Sequence, residues 1–188
     1  MTYNLAWLLN SVETEKNPKF LFFWGHQPLK SGEISASCFS QWWEQSFIVD
    51  GINYKTAEHY MMAQKALLFG DNSSFQRIIQ AKTAAEAKKI GREVKNFDET
   101  LWDSKRSEIV FKGNYHKFSQ DERLKIFLLQ TSNRVLVEAS PYDVIWGIGL
   151  TAQDENAQKP MHWKGLNLLG FVLMEVRDKL QEQANKLK

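Results

Sequence analysis

Glu58 and Lys65 stand seven residues apart in the run Thr56-Ala-Glu-His-Tyr-Met-Met-Ala-Gln-Lys65. On a helix that spacing is close to two turns, so the two side chains share a face with Met61 and Met62 between them. A carboxylate and an amine beside methionines and aromatics perturb each other's pKa, which acid–base or covalent chemistry requires. The same residues also suit an ordinary helix. A carboxylate in the first turn complements the helix dipole, and a lysine in solvent needs no partner. The spacing by itself leaves both meanings open.

A second cluster is Val137-Glu-Ala-Ser-Pro-Tyr-Asp-Val-Ile-Trp-Gly-Ile-Gly149. Glu138 and Asp143 flank a proline turn, and Trp146 precedes Gly147 and Gly149. Such a loop offers carboxylates to a sugar, a ring for stacking and backbone N–H groups to a phosphate. Gly147-Ile-Gly149 lacks the full dinucleotide fingerprint, and taken alone the pattern favours a turn with a buried indole. Other constellations are poorer. His26, His59, His116 and His162 show no ligand spacing and no cysteine pair, so no metal is expected. Cys38 has no nucleophile context and is expected to be packed. Lys88-Lys89 and Lys186/Lys188 are expected to be solvated helix faces, while Arg92, after Gly91, could hold a phosphate.

Positioning these groups is the task of one ordinary domain. At 43% hydrophobic and 24% charged, the 188 residues are globular in composition, and disorder and fibres are excluded. A net charge of +2 is too balanced for non-specific nucleic-acid binding. One cysteine excludes an internal disulfide and fits a reducing compartment. Met1 to Leu9 has no basic leader, Glu13, Glu15 and Lys16 follow it, and no apolar run is long enough to span a bilayer. A cytoplasmic protein is expected, with no membrane attachment.

Phe20 to Trp24 is a short apolar run ended by Gly25, a buried strand. Phe47-Ile-Val49 and Ile52-Asn-Tyr54 flank Asp50-Gly51, a hairpin. Thr56 caps a helix to Phe69 with Gly70 as its stop. Thr83-Ala-Ala-Glu86 is a capping box for a helix ending at Gly91, and Ser119-Gln-Asp-Glu122 opens another through Leu129. Trp102, Arg106, Ile109, Val110 and Gly113 recur at helical spacing. Val135-Leu-Val137 suits a strand before Pro141, and Leu168, Leu169, Val172, Leu173, Val176 and Leu180 line a final helix. The predicted fold class is α+β, predominantly helical, a single domain over 1–188 with a small sheet and a hairpin.

The chain resembles the YbiA-like, or NADAR, family from about Phe22 to Leu180. The matching pieces are Phe39-Ser-Gln-Trp42, Val49-Asp-Gly51, the Thr56–Lys65 run, Gly91-Arg92, Trp102, Lys117-Phe118, Leu136-Val-Glu138, Asp143 with Trp146-Gly-Ile-Gly149, and Gly165-Leu-Asn-Leu-Leu-Gly170 through Met174-Glu-Val-Arg177. The resemblance implies an N-glycosidase that needs no cofactor and no obligate protein partner. Family members are associated with hydrolysing ribosylamine-type riboflavin intermediates and with removing ADP-ribose from modified guanine. A small nucleotide-like substrate, free or within nucleic acid, is thus expected. The aromatic segment Trp24 to Trp43 departs from the short riboflavin-linked type, which leaves the substrate open between these classes.

A ribosyl C–N bond breaks through an oxocarbenium-like state that a carboxylate stabilises. With the resemblance, Glu58 becomes the first carboxylate, and Asp143 the second or the holder of a ribose hydroxyl. Trp146 and Trp42 are stacking rings, and Arg92 and Asn167 are anchors for phosphate or hydroxyl. His59, Gln64, Glu138, Gly147 and Gly149 complete the expected substrate-binding set. Lys65, if burial lowers its pKa, attacks the anomeric carbon and forms an imine; otherwise it orients Glu58. The methionine-lined face favours the imine route. A non-catalytic module binding NAD or ADP-ribose uses the same stacking and phosphate groups but needs no Glu58/Lys65 pair. A structural interaction domain explains the tryptophans alone.

Overall fold

A computed structural model describes residues 2–14 and 18–186. Glu15, Lys16 and Lys188, which entered the expectations above, lie outside the described residues. Along the chain come α1 (Leu5–Thr14), β1 (Phe20–Phe23), β2 (Phe47–Val49), β3 (Ile52–Tyr54), α2 (Ala57–Leu68), α3 (Asn72–Gln80), α4 (Ala84–Arg92), α5 (Glu99–Gln120), α6 (Glu122–Leu129), β4 (Val135–Glu138) and α7 (Leu168–Lys186). The fold class is α+β, dominated by helices, as expected. The chain divides into two compact units, residues 1–40 with 122–188, and residues 41–121. No helix among the described residues is long and apolar enough to cross a membrane.

In the first unit β1 and β4 pair in parallel, with Phe20 opposite Val135 and Phe23 opposite Glu138. Val135, Leu136 and Val137 are all buried, the continuous apolar run of a strand covered on both faces. Helix α7 packs against β4, and its apolar stripe includes Leu169, Val172, Leu173 and Val176, each at most 1% exposed. Each such side chain contributes roughly 1.5–3 kcal/mol on burial.

The second unit begins with the β2–β3 hairpin, in which Val49 faces Ile52 across the Asp50-Gly51 turn. Both turn residues have positive φ, 51° and 78°, as a two-residue hairpin turn requires. Thr56 caps α2, its side chain accepting from the His59 N–H. Every residue from Ala57 to Ala63 is buried, so this helix is the centre of its unit rather than an amphipathic surface element. It packs against α3, α4 and α5.

Four local expectations change. Of the strand expected to be buried, only Phe23 is buried, while Phe20, Leu21 and Phe22 are half-buried. Gly91 lies inside the last turn of α4, which continues to Arg92. A Cβ there would sit 2.1 Å from the Met62 sulfur and 2.8 Å from its Cγ, so the glycine serves close packing against α2 instead of stopping the helix. Ser119 opens no helix: it belongs to α5, which runs on to Gln120, and its hydroxyl donates to the His116 carbonyl at 3.3 Å. Extended Asp121 then separates α5 from α6. Helices α1 and α3 were not signalled by periodicity. Helix α3 reads NSSFQRIIQ and buries only Ser74, Phe75 and Ile78; its clearest mark is Asp71, whose carboxylate caps the Ser74 N–H.

Candidate active site

Glu58 sits in the first turn of α2 and is 2% exposed. Its backbone N–H, which has no partner within the helix at this position, donates to the Gln41 carbonyl at 2.9 Å. The Gln41 side chain is held in turn. Asn114, on α5, donates through Nδ2 to Gln41 Oε1 at 2.7 Å and to the Val110 carbonyl at 2.9 Å. Gln41 and Asn114 are 7% and 0% exposed. A buried polar network thus fixes the backbone from which the Glu58 carboxylate projects.

Seven residues along a helix is a rise of roughly 10 Å, which separates Lys65 from Glu58 despite their common face. The half-buried Lys65 ammonium donates to the Gly91 carbonyl at 2.9 Å. It lies 4.3 Å from the Phe97 ring centre and 5.7 Å from that of Trp102. Burial lowers its pKa from the ordinary lysine value, because a cation is disfavoured away from water. The carbonyl and the ring faces act in the opposite sense and favour the charged form.

The other expected residues of this unit take distinct places. His59, 1% exposed, has Nδ1 2.8 Å from the Thr56 hydroxyl and Nε2 3.2 Å from the Ala81 carbonyl. Because Ala81 can only accept, Nε2 carries the proton, and burial holds the pKa below the usual histidine value. Both ring nitrogens are thus engaged by protein. Gln64 lies beside the Tyr54 hydroxyl and lines a groove of about 720 Å³ with Tyr60, Leu67, Ile109 and Phe111. Trp42 is half-buried, with the Lys88 ammonium 5.8 Å from its ring centre. Arg92 is exposed at the end of α4.

In the first unit, the loop after β4 is built around Asp143. Its Oδ1 accepts from the N–H groups of Ile145 and Trp146 at 2.9 and 2.7 Å, a carboxylate closing its own turn. Trp146 is half-buried, short of the fully buried indole that the motif alone favours. Gly147 is packed so tightly that a Cβ would meet the Glu138 carbonyl at 2.8 Å and the Asp143 carbonyl at 3.0 Å. Gly149 has φ +68° and donates its N–H to the Asp143 carbonyl at 3.2 Å. Asn167 is fully buried, donating through Nδ2 to the Leu136 carbonyl and accepting at Oδ1 from the Glu138 N–H, both at 2.9 Å. It ties the segment before α7 to the edge of β4, and Glu138 is left half-buried as the last residue of that strand.

The structure therefore gathers Glu58, His59, Gln64 and Lys65 on α2 and gathers Glu138, Asp143, Trp146, Gly147, Gly149 and Asn167 around β4 and its loop. Sequence reasoning missed Gln41 and Asn114 as the supports of Glu58, and Phe97 as part of the lysine's surroundings. Asn114 carried a signal, a polar residue one turn from Val110 on a helix's buried face. Phe97 carried none. A cavity of about 620 Å³ lined by Tyr3, Trp7, Arg177 and Asp178 contains none of the expected site residues.

Comparison with known proteins identifies the family. The profile of the NADAR domain matches residues 22–181. N-glycosidase R617 of Acanthamoeba polyphaga mimivirus is 44% identical over 91% of this chain and 100% of its own length. N-glycosidase YbiA of Escherichia coli is 33% identical over 70% of this chain and 74% of its own. The NMR structure of the E. coli protein YbiA superposes with a TM-score of 0.72 at 27% identity, covering 90% and 89% of the two chains. The riboflavin biosynthesis protein PYRR of Zea mays is 36% identical over 70% of this chain, which spans 20% of that protein.

Proposed function

The chain belongs to the NADAR family and is an N-glycosidase, and we propose that the bond it hydrolyses joins ribose to a base or base-like amine, in a ribosylamine riboflavin intermediate or in ADP-ribosylated guanine. The observation that carries the assignment of chemistry is Glu58, a carboxylate 2% exposed, in the first turn of a helix whose start is fixed by Gln41 and Asn114. The catalytic proposal gives it two tasks. It faces the positive charge that grows at the anomeric carbon as the C–N bond lengthens, and it takes a proton from the attacking water. The water oxygen bonds to the anomeric carbon, and the base leaves with the C–N electron pair and takes up the proton that Glu58 removed from water, which returns Glu58 to its carboxylate form. A buried carboxylate acts here in a medium where charge is poorly screened, so its field on the cationic centre is stronger than in water.

Lys65, in this proposal, remains an ammonium held by Gly91, Phe97 and Trp102 and contributes positive potential at the far end of α2. Asp143 shapes the loop that presents Trp146, whose half-buried indole suits a planar ring. The alternative in which Lys65 forms an imine has one observation in its favour, the lowering of its pKa by burial. The whole chain, residues 1–188, is proposed as one functional NADAR domain.

The test is incubation of the purified protein with ribosylamine pyrimidines, ADP-ribosylated guanosine and NAD, with mass detection of released base. Release from one of the first two supports the proposal. Tight binding of NAD or ADP-ribose with no release replaces it with a non-catalytic binding module.

A further inference from the structure

Two of the largest rings in the first unit are not used by its core. Trp24 is 55% exposed and Tyr142 is 87% exposed, yet the two touch, with ring centres 6.2 Å apart and planes inclined at 52°. Their position follows from the parallel pairing. Phe23 and Glu138 are opposite each other at the carboxyl ends of β1 and β4, and the next rung is the Ala139 N–H donating to the Phe23 carbonyl at 2.9 Å. Trp24 is the first residue past β1. Tyr142 follows β4 after Ser140 and Pro141, and its N–H reaches the Ser140 hydroxyl at 3.4 Å. Both rings therefore stand just beyond the carboxyl ends of the two parallel strands. Immediately after Tyr142, Asp143 clamps the turn that carries Trp146.

We propose that Trp24 and Tyr142 form a stacking platform for the planar base of a nucleotide. The chemistry of the place selects this occupant. Each ring offers an apolar face with a polar edge, the indole N–H or the phenol, and such rings bind bases of any sequence by stacking. The inclination of the two planes makes an open wedge, so the base lies against one ring and meets the edge of the other. Carboxylates at Glu138 and Asp143, within a few residues of Tyr142, suit sugar hydroxyls beside that base. The choice of a nucleotide rests on the N-glycosidase reading; the existence of the platform does not.

The probe is AMP, compared with ribose 5-phosphate, each titrated calorimetrically into the full chain. In wild type AMP binds more tightly than ribose 5-phosphate. Tyr142→Ala and Trp24→Ala weaken AMP about ten-fold each, within the range for loss of one base–aromatic contact, and leave ribose 5-phosphate unchanged. Tyr142→Phe and Trp24→Phe keep AMP affinity within about three-fold of wild type. Both side chains are exposed, so thermal midpoints stay near wild type in all four variants. Equal affinity of wild type for the two probes, or unchanged AMP affinity in both alanine variants, overturns the platform. If AMP binding depends on the rings while no substrate releases a base, the platform stands and the catalytic proposal alone falls.

Discussion

The Lys65 ammonium donates to the carbonyl of Gly91 at 2.9 Å, and the residue that receives it is the same glycine whose missing side chain makes room for Met62. Helix α4 can thus come close enough to α2 to offer a backbone carbonyl to a lysine of that helix. The carbonyl favours the charged lysine, against the burial that lowers its pKa.

A direct outcome concerns Lys65 itself. If it stays an ammonium during turnover, Lys65→Arg retains measurable activity and cyanoborohydride traps no ribosyl adduct. The folded-state pKa is lowered, so the unfolded chain binds the proton more tightly. Between the folded value and the ordinary value near 10.5, stability therefore rises with pH, and Lys65→Met lacks this rise. The urea midpoint of both proteins across the alkaline range measures it. An adduct mapped to Lys65, with an inactive Arg variant, moves the mechanism to the imine.

Asp143 is predicted to act through its oxygen rather than its charge. Asp143→Asn keeps an acceptor for the Ile145 and Trp146 N–H groups and retains activity within about ten-fold, whereas Asp143→Ala releases the turn and loses about 10²-fold in kcat/KM. Steady-state kinetics on the two variants is the check. Equal losses of 10³-fold or more would show that the carboxylate charge itself serves the chemistry.

Asn167 was expected to anchor substrate, and the geometry predicts a structural outcome when it is replaced. Asn167→Ala leaves the Leu136 carbonyl and the Glu138 N–H without their partner, at a cost of about 1–3 kcal/mol for each buried group. A fall of about 2–6 kcal/mol in unfolding free energy is predicted by summing the two. Unchanged stability with lost substrate affinity would return Asn167 to the binding set.

Much of this fold was legible because local signals agreed with tertiary demands. Asp50-Gly51 specifies its turn, Thr56 its cap, and the Leu169–Leu180 stripe its buried face. The pairing of β1 with β4 was not legible, since parallel strands more than a hundred residues apart leave no local trace. Gly91 misled for a related reason: a glycine near a helix end looks like a stop unless its neighbour in space, Met62, is known. For the candidate site, the residues on one element were found together, as with Glu58 and Lys65 on α2. Their supports were not, because Gln41, Asn114 and Phe97 arrive from distant stretches of chain.

The central claim is that Glu58 performs the bond cleavage, and Glu58→Gln tests it most directly. Glutamine keeps the shape and the backbone bond to Gln41 while removing the charge, so the protein should fold with a thermal midpoint near wild type. Base release, followed by mass on whichever substrate the wild type turns over, should fall by at least about 10²-fold in kcat with little change in KM. Base release at the wild-type rate by a folded Glu58→Gln protein would contradict the account.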